Sequence, residues 1–461
     1  MVFEELKAFP RILRVGHKTQ ISGRLYDVPR DIRLGREAEL KLTFVPEAGV
    51  LEDGRVLDWA EVCDMDYEFS ADGSFSFEFT APDEGEYTFQ FILQLPHGKR
   101  PLYRFSCYAL EEDLFELKPF KGDTHVHTCW SGCAGIEQEP PYVAATLRSR
   151  GLDFTFITDH CKQYSSLQAI RDMAAFESDF RIYPGEECHV MARKCTTPDY
   201  LDINFVMSGI HQLSLGASCS VIEYTNEHFD EYTQFLEKRM AELPADVSES
   251  QRKLMAGLDW IVKKTHEFGG LSVFAHPFWK PCDRLNLPPK VREYIFENGL
   301  FDAVEVIGLG SGDNDPGYYA GIVECMAWLY DKAARYGRRI PVTGATDCHH
   351  ARSLAGYQYT MAFARENTLE SIMDAIRSGR TLACRSYPGE HPFFWGDFRL
   401  VRYAEFLQRD FFPEHDEMCV IDGKLMLQTL RGDIPLESVN SISRDCTEKL
   451  FRRYWAGSEE N

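Results

Sequence analysis

The first part of the chain alternates polar and apolar residues with a period of two. The alternation is clearest at 39–44, 74–79 and 86–91. This period is typical of β-strands that bury one face, and residues 83–85, Asp-Glu-Gly, fit a turn between the last two strands. We therefore predict that residues 1–115 form a small all-β sandwich domain.

From residue 118 the pattern changes to strands that alternate with helices. Short, nearly continuous apolar runs are typical of strands buried on both faces. These runs lie at 154–157, 203–207, 271–274, 303–307 and 340–342. Amphipathic helices are predicted at 254–262, ending at Gly269, and from Thr368 onward. Repeated strand-then-helix units predict an α/β domain with a parallel sheet, open or closed into a barrel.

The length and composition of the chain are typical of a soluble protein with two or three domains. A chain of 461 residues is too long for one hydrophobic core, and its hydrophobic share of 44% is ordinary. Residues 118–385 form the second predicted domain. Residues 386–461 form a C-terminal extension that could pack on the barrel or serve as an oligomer interface, and the sequence does not decide between these roles.

Five short histidine and carboxylate motifs follow apolar runs. They are GDTHVHT at 122–128, TDH at 158–160, GEE at 185–187, FAHP at 274–277 and TDCH at 346–349. Imidazole and carboxylate groups are preferred ligands of divalent metals. His125 and His127 stand two residues apart, so on a strand both point to the same side. Because barrel active sites lie at the carboxyl ends of strands, the motifs predict a metal cluster there.

Charge and cysteine content narrow the partners and the compartment. A formal net charge of −22 argues against nucleic acid or an anionic membrane as a general partner, although bound metal ions could still attract a substrate phosphate. The N-terminus has acidic residues where a signal peptide needs basic ones, and no apolar stretch is long enough to span a bilayer. The 14 cysteines fit reduced thiols, so we expect a cytoplasmic protein.

In their order and spacing, the five motifs resemble the PHP superfamily, named for polymerase and histidinol phosphatase domains. The resemblance covers 118–385. The segment 366–381 is similar to the carbaryl-hydrolase-like branch, which also carries a β-sandwich before the barrel. The resemblance implies a distorted (β/α)7 TIM-like barrel that holds two or three divalent ions, with zinc, iron or manganese as candidates.

The resemblance also implies which residues hold the first two ions. His125, His127, Glu187 and Asp347 would surround the first ion. Glu187 would bridge to a second ion that His276 also holds. Glu187 and Asp347 are therefore the predicted catalytic residues, with Glu187 setting the spacing of the ions and Asp347 steering the attacking water.

A third ion is implied at His160 and His349, but this chain departs from the family pattern at two positions. Cys133 stands where the family has Asp or His, and Asp202 stands where it has a further histidine. A thiolate at Cys133 would suit zinc or iron and disfavour magnesium. Two histidines could substitute for the missing one, namely His189 and His211.

Four further polar residues also have candidate roles. Asp159 could orient His160 or cap the next loop. His266 could interact with a helix C-terminus. His350 could be a general acid or a solvated neighbour, and Arg352 could hold a substrate anion or form a surface salt bridge.

These observations predict a metal-dependent hydrolase that acts on a small molecule. The sequence has no G-x-S-x-G nucleophile elbow, so we expect water to be the nucleophile. The resemblance favours a phosphoester as substrate, with an amide, ester or carbamate as the alternative. A second alternative is a non-catalytic binding module, which Cys133 and Asp202 support. A homo-oligomer also remains open.

Overall fold

The computed structural model describes most of the chain in two compact units. The described residues are 6–33, 38–46, 63–195, 206–279, 287–307, 316–336 and 339–457. The first unit comprises Met1–Leu117, Arg402–Pro413 and Thr447–Asn461, and the second comprises Lys118–Val401 and Glu414–Cys446. The predicted C-terminal extension is thus divided between the two units. Among the described helices, none has the length and apolar character that crossing a membrane requires.

The first unit contains two mixed or antiparallel sheets. Its strands are β1 Leu6–Phe9, β2 Ile12–Arg14, β3 Lys18–Leu25, β4 Glu39–Pro46, β5 Cys63–Met65, β6 Glu68–Phe69, β7 Ser74–Thr80, β8 Gly85–Leu95 and β9 Gly98–Leu110. Two short helices accompany them, α1 Arg30–Arg33 and α2 Glu112–Phe115. One sheet has the strand order β1-β3-β7-β6 and the other β2-β9-β8-β4-β5. The three strands predicted from period-two alternation are confirmed as β4, β7 and β8.

Phenylalanine rings from both sheets fill the core of this unit. Phe77 of β7 lies 4.9 Å from Phe89 of β8, and Phe75 lies 4.9 Å from Phe91, measured between ring centroids. All four side chains are buried. Each ring pair adds about 0.5–1.5 kcal/mol beyond the burial of its surface. The alternation therefore predicted the buried face correctly.

The second unit is built around a ten-stranded sheet. Its strands are β10 Lys118–Val126, β11 Phe154–Ile157, β12 Arg181–Met191, β13 Val206–Leu215, β14 Leu271–Phe274, β15 Ala303–Ile307, β16 Val342–Gly344, β17 Gln358–Ala364, β18 Thr381–Arg385 and β19 Phe393–Gly396. Its strand order is β16-β15-β14-β13-β12-β11-β10-β17-β18-β19.

Helices separate many of these strands. They are α3 Pro140–Arg148, α4 Tyr164–Met173, α5 Val221–Glu227, α6 Phe229–Glu242, α7 Glu249–Glu267, α8 Pro289–Glu297, α9 Pro316–Tyr336, α10 Ala351–Leu354 and α11 Leu369–Arg377. Four more follow β19, namely α12 Phe398–Asp410, α13 Phe412–Leu430, α14 Leu436–Ser443 and α15 Cys446–Tyr454. The two predicted helices are confirmed as α7 and α11, and Thr368 caps α11 by accepting a hydrogen bond from the amide of Ser371.

The expected parallel sheet is found only in part. Strands β10, β11 and β12 are parallel, as are β14, β15 and β16. However, β13 is antiparallel to both its neighbours, and β17 is antiparallel to β10. An apolar run indicates that a strand is buried, but it carries no information on the direction of the strand. The run at 340–342 begins two residues before the observed β16, and 203–205 lie outside the described residues.

The edge strand β16 folds back against the middle of the sheet, so that the strands from β10 to β17 nearly close a barrel. Thr360 Oγ of β17 accepts from the Gly344 amide of β16 at 3.0 Å and donates to the Gly344 carbonyl at 2.7 Å. Past the end of β16, the carbonyl of Cys348 accepts from the His127 amide at 2.9 Å. These bonds join β16 to β17 and β10, so the carboxyl ends of the parallel strands meet around one opening.

At the end of β10 and β11 that faces away from this opening, buried charged side chains bind α13. Arg148 at the end of α3 is fully buried and donates to Asp422 of α13 at 2.8 Å and to Asp153 at 3.2 Å. His415 of α13 lies 2.8 Å from Asp153, measured from Nε2 to Oδ1. A Cβ on Gly423 would lie 2.1 Å from the amide nitrogen of Ser149, so glycine allows α13 to approach α3 closely.

We expect His415 to make the stability of the second unit depend on pH. Burial lowers the pKa of His415, but the carboxylate of Asp153 outweighs it and raises the pKa well above the ordinary 6.5. The folded protein therefore binds this proton more tightly than the unfolded chain does. Its stabilising effect is complete below about pH 6.5 and is lost as the pH rises through the folded-state pKa.

The measurement is the urea midpoint of unfolding from about pH 6 to about pH 9, for the wild type and His415→Gln. The difference between the two proteins should be largest at the acidic end and shrink toward alkaline pH. A difference that stays constant over this range would contradict a protonated, stabilising His415.

Candidate metal centre

The structure brings eight of the nine predicted metal ligands together at the carboxyl ends of the barrel strands. They are His125, His127, Cys133, His160, Glu187, His276, Asp347 and His349. The ninth, Asp202, lies outside the described residues. Overlapping groups of these side chains have donor atoms within 4.8 Å of one another. The motifs were therefore sufficient to predict which side chains converge.

Glu187 of β12 occupies the middle of the cluster. Six imidazole rings have a nitrogen within 3.9 Å of its oxygens: His125 (3.4 Å), His127 (3.5 Å), His160 (2.5 Å), His189 (3.9 Å), His211 (2.6 Å) and His276 (3.5 Å). Both oxygens are buried, yet neither has a partner in hydrogen-bond geometry among the described residues. A buried carboxylate whose oxygens make no hydrogen bond of good geometry is rare. Surrounded by ring nitrogens, it fits a carboxylate that bridges divalent ions.

The groups around the first predicted ion are closely spaced. His127 Nε2 lies 2.9 Å from Asp347 Oδ1 and 3.2 Å from His125 Nε2. His125 Nε2 lies 3.3 Å from the same Asp347 oxygen. Ligand atoms about 2.0–2.2 Å from one ion are themselves about 3–3.5 Å apart. Together with Glu187, these residues fit a single divalent ion.

Two partners that the sequence analysis missed orient the histidines of this group. Glu305 of β15 accepts from His125 Nδ1 at 3.0 Å, and Ser131 Oγ accepts from His127 Nδ1 at 2.8 Å. With Nδ1 protonated, the free Nε2 of each ring faces the cluster, as in metal-binding histidines. The only sequence signal for Glu305 was a carboxylate within an otherwise apolar strand.

Asp159 braces the turn that follows β10, a role that differs from both of those suggested for it. Asp159 accepts from the Thr128 amide at 2.7 Å, from the Thr128 hydroxyl at 2.6 Å and from the Ser131 hydroxyl. It therefore holds the turn after β10, a 3₁₀ helix at Cys129–Ser131. Through Ser131 it supports His127, whereas the expected direct role on His160 is not found among the described contacts.

His189 and His211 both lie at the centre, as the sequence analysis proposed for at least one of them. They face each other across β12 and β13, with ring centroids 4.2 Å apart. His211 lies beside Glu187, and His189 Nε2 lies 3.1 Å from His160 Nδ1. Trp279, which the sequence analysis did not consider, packs its ring 5.8 Å from His211 and 5.6 Å from His276.

Electrostatics leave the carboxylates charged and several imidazoles neutral. Burial raises the pKa of Glu187, but the imidazoles of His211, His160 and His125 lower it well below its usual range. Burial lowers the pKa of His211 to about 3, and burial with the neighbouring His160 lowers that of His127 to about 4. A neutral imidazole is the form that ligates metals. Burial also lowers the pKa of His125 and of His160, but neighbouring carboxylates, Glu187 among them, outweigh burial and raise both pKa values well above 6.5. These two rings would therefore release a proton when they bind a metal.

Cys133 adjoins the histidines predicted for the third ion. Burial raises its pKa, but hydrogen bonds with His160 and His349 outweigh this and lower the pKa to about 7. The residue is exposed. A thiol in this state is converted readily to thiolate, the form that binds metals.

Two of the proposed ligands have backbone angles that are unusual for their residue types. His276 has φ of 24° and Asp347 has φ of 50°. Non-glycine residues in this region are strained by about 1–3 kcal/mol, and such strain concentrates at functional sites. The strain supports a functional role for the ends of β14 and β16.

The remaining candidates lie outside the cluster. His266 is at the end of α7, where its Nε2 is 2.8 Å from Asp302 Oδ2. The Arg352 guanidinium donates to the Tyr142 hydroxyl, and His350 immediately precedes α10. These contacts give His266 and Arg352 structural partners, while an anion-binding role for Arg352 stays a prediction.

Comparisons with known proteins find a family model that matches part of the chain and solved structures that are similar at low identity. A family model described as PHP-associated matches residues 331–381. A two-domain protein from Bacteroides vulgatus containing a predicted PHP-like metal-dependent phosphoesterase has 17% identity and a TM-score of 0.40, covering 64% of this chain and 71% of that one. The lesion-specific endonuclease Q from Pyrococcus furiosus has 14% identity and a TM-score of 0.31, covering 73% and 90%. No curated protein matches the chain.

Proposed function

We propose that this protein is a metal-dependent hydrolase of the PHP superfamily and that it cleaves phosphoesters. The observation that carries the proposal is Glu187, a buried carboxylate that six imidazole rings surround. With His125, His127 and Asp347 it would hold one divalent ion. With His211 and His276 it would hold a second.

Divalent ions bound here would supply Lewis acidity and lower the pKa of water to near neutrality. Glu305 and Ser131 keep Nε2 of His125 and His127 directed at the first ion. Asp347, ionised because His125 and His127 outweigh the effect of burial on its pKa, can accept a hydrogen bond from the attacking water and orient it. Glu187 and Asp347 are thus the proposed catalytic residues.

The charge of the centre favours an anionic substrate. Two divalent ions together with the ligand carboxylates Glu187 and Asp347 would carry a net charge of about +2, since an imidazole that binds a metal is neutral. This local charge can attract a phosphoester despite the net charge of −22 on the whole chain. A neutral carbamate or carboxylic ester would gain less from the same field.

The test is hydrolysis by the full-length protein, loaded with manganese, zinc or iron. An aryl phosphate, an aryl ester and an aryl carbamate are compared at equal metal content. We expect release of phosphate that chelation abolishes and metal restores. Turnover of the ester or carbamate alone would contradict the phosphoesterase proposal and support the alternative hydrolase.

A matched pair of histidine variants separates an enzyme from a binding module. His127→Ala removes a buried ligand, whereas His266→Ala removes an exposed histidine bound to Asp302 outside the cluster. We expect His127→Ala to lose activity and His266→Ala to keep it. No metal in the wild type after reconstitution, and no turnover, would favour the non-catalytic module.

A further inference from the structure

We propose that Cys133, His160 and His349 bind the outer ion through a metal–thiolate bond, which makes this site selective for zinc-like ions. The inner sites, built from imidazole and carboxylate, would also accept harder ions such as manganese. The centre would then hold two kinds of metal. This inference rests on the proposed function, because it assumes that the cluster binds metals.

The geometry of the donor atoms fits one ion. The donor atoms of Cys133, His160 and His349 lie within 4.8 Å of one another. Ligand atoms around tetrahedral zinc are about 3.3–3.8 Å apart, so small side-chain movements complete the site. This group contains a sulfur atom and no carboxylate, unlike the groups that include Glu187 or Asp347.

The chain positions Cys133 through a braced turn. Thr128 caps the 3₁₀ helix by accepting a hydrogen bond from the Trp130 amide, and Asp159 holds Thr128 and Ser131. Gly132 then has φ of 74°, which glycine adopts without strain, and it reverses the chain so that Cys133 reaches His160 and His349. Because buried side chains hold the turn, Cys133 lies at a defined position.

The chemistry of the donors determines the selectivity. Thiolate is a soft ligand that favours zinc, cobalt and cadmium, while magnesium and manganese prefer oxygen donors. The group offers one sulfur and two imidazole nitrogens, and none of its three members is a carboxylate. Replacing the thiolate by a carboxylate should therefore shift the preference of the site toward manganese.

The outer ion should also exchange more readily than the inner ones. Cys133 is exposed, and the side chains of His160 and His349 are 24% and 21% exposed. His125 and His127 are fully buried, and Glu187 is 1% exposed. A chelator therefore meets the outer site first, so we expect metal to leave in two steps.

The experiment uses the full-length protein, stripped of metal and reloaded with cobalt. A sulfur-to-cobalt charge-transfer band in the near ultraviolet reports a metal–thiolate bond, and elemental analysis reports stoichiometry. We expect the band in the wild type and in Cys129→Ser, a control four residues away. Cys133→Ser should lose the band and one equivalent of metal, with zinc affinity at the outer site falling at least about 100-fold.

Cys133→Asp provides a rescue and guards against misfolding. It should regain the lost equivalent without the band and bind manganese in competition with zinc. Cobalt binding to the wild type without the band, or a band that persists in Cys133→Ser, would overturn the inference and leave the proposed function intact. Absence of cobalt from all the variants and the wild type would overturn both.

Discussion

Glu187→Gln is expected to remove metal from the centre and to lower kcat/KM by at least about 10³-fold, equivalent to about 4 kcal/mol of barrier. Glutamine has the shape of glutamate, but it is neutral and has one amide nitrogen that cannot bind a cation. Because Glu187 lies beside six imidazoles and would bridge two ions, both inner sites lose affinity together. The measurements are metal content and hydrolysis of an aryl phosphate.

The neighbouring residue offers a matched control. Glu186 points to the other face of β12, where it accepts from the Ser220 hydroxyl and the Val221 amide, both at 2.7 Å. Burial raises the pKa of Glu186 to about 7, so a neutral side chain is tolerated better there. Glu186→Gln should keep its metal and most of its activity. Equal losses in both variants, or full metal content in Glu187→Gln, would remove the basis for the bridging role.

Arg148→Met is expected to destabilise the second unit by about 3–5 kcal/mol. Arg148 is fully buried, and its guanidinium is bound to Asp422, Asp153 and the carbonyl of Leu152. Methionine fills much of the same space but leaves two buried carboxylates without their cation, which accounts for most of the cost. The measurement is urea unfolding followed by circular dichroism, on metal-free protein so that metal loss does not contribute.

An exposed arginine provides the comparison. Arg171 pairs with Asp172 at 3.0 Å, and its side chain is 65% exposed. Arg171→Met should leave the midpoint of unfolding nearly unchanged, since exposed ion pairs contribute little. With two units in the chain, each transition is followed separately. If Arg148→Met shifted the midpoint as little as Arg171→Met, the charged network would not hold α13.

Much of the candidate site could be predicted because its ligands lie in short local motifs. A histidine or carboxylate immediately after an apolar run is visible in the sequence, and parallel strands bring such positions to one end of a sheet. His125, Glu187, His276 and Asp347 were found in this way, and the structure brings them together. Departures from the motif, such as Cys133, were equally visible because they occupy fixed spacings.

Partners that act across the fold could not be predicted. Glu305 is 180 residues from His125 and has no motif of its own, so only the pairing of β15 with its neighbours brings it into contact. The same holds for Arg148 and Asp422, which are 274 residues apart. The local sequence around a charged residue does not indicate whether that residue will be buried. It also does not indicate which partner will neutralise its charge.

The sequence by itself determined the local features of this protein: strand and helix positions, buried faces and the residue types of the metal centre. These follow from periodicity and spacing, which depend on near neighbours along the chain. Only the tertiary structure decided the reversed direction of β13, the placing of His189 and His211 around Glu187, and the orientation of His127 by Ser131. Those features depend on contacts between distant segments, which form only when the whole barrel assembles.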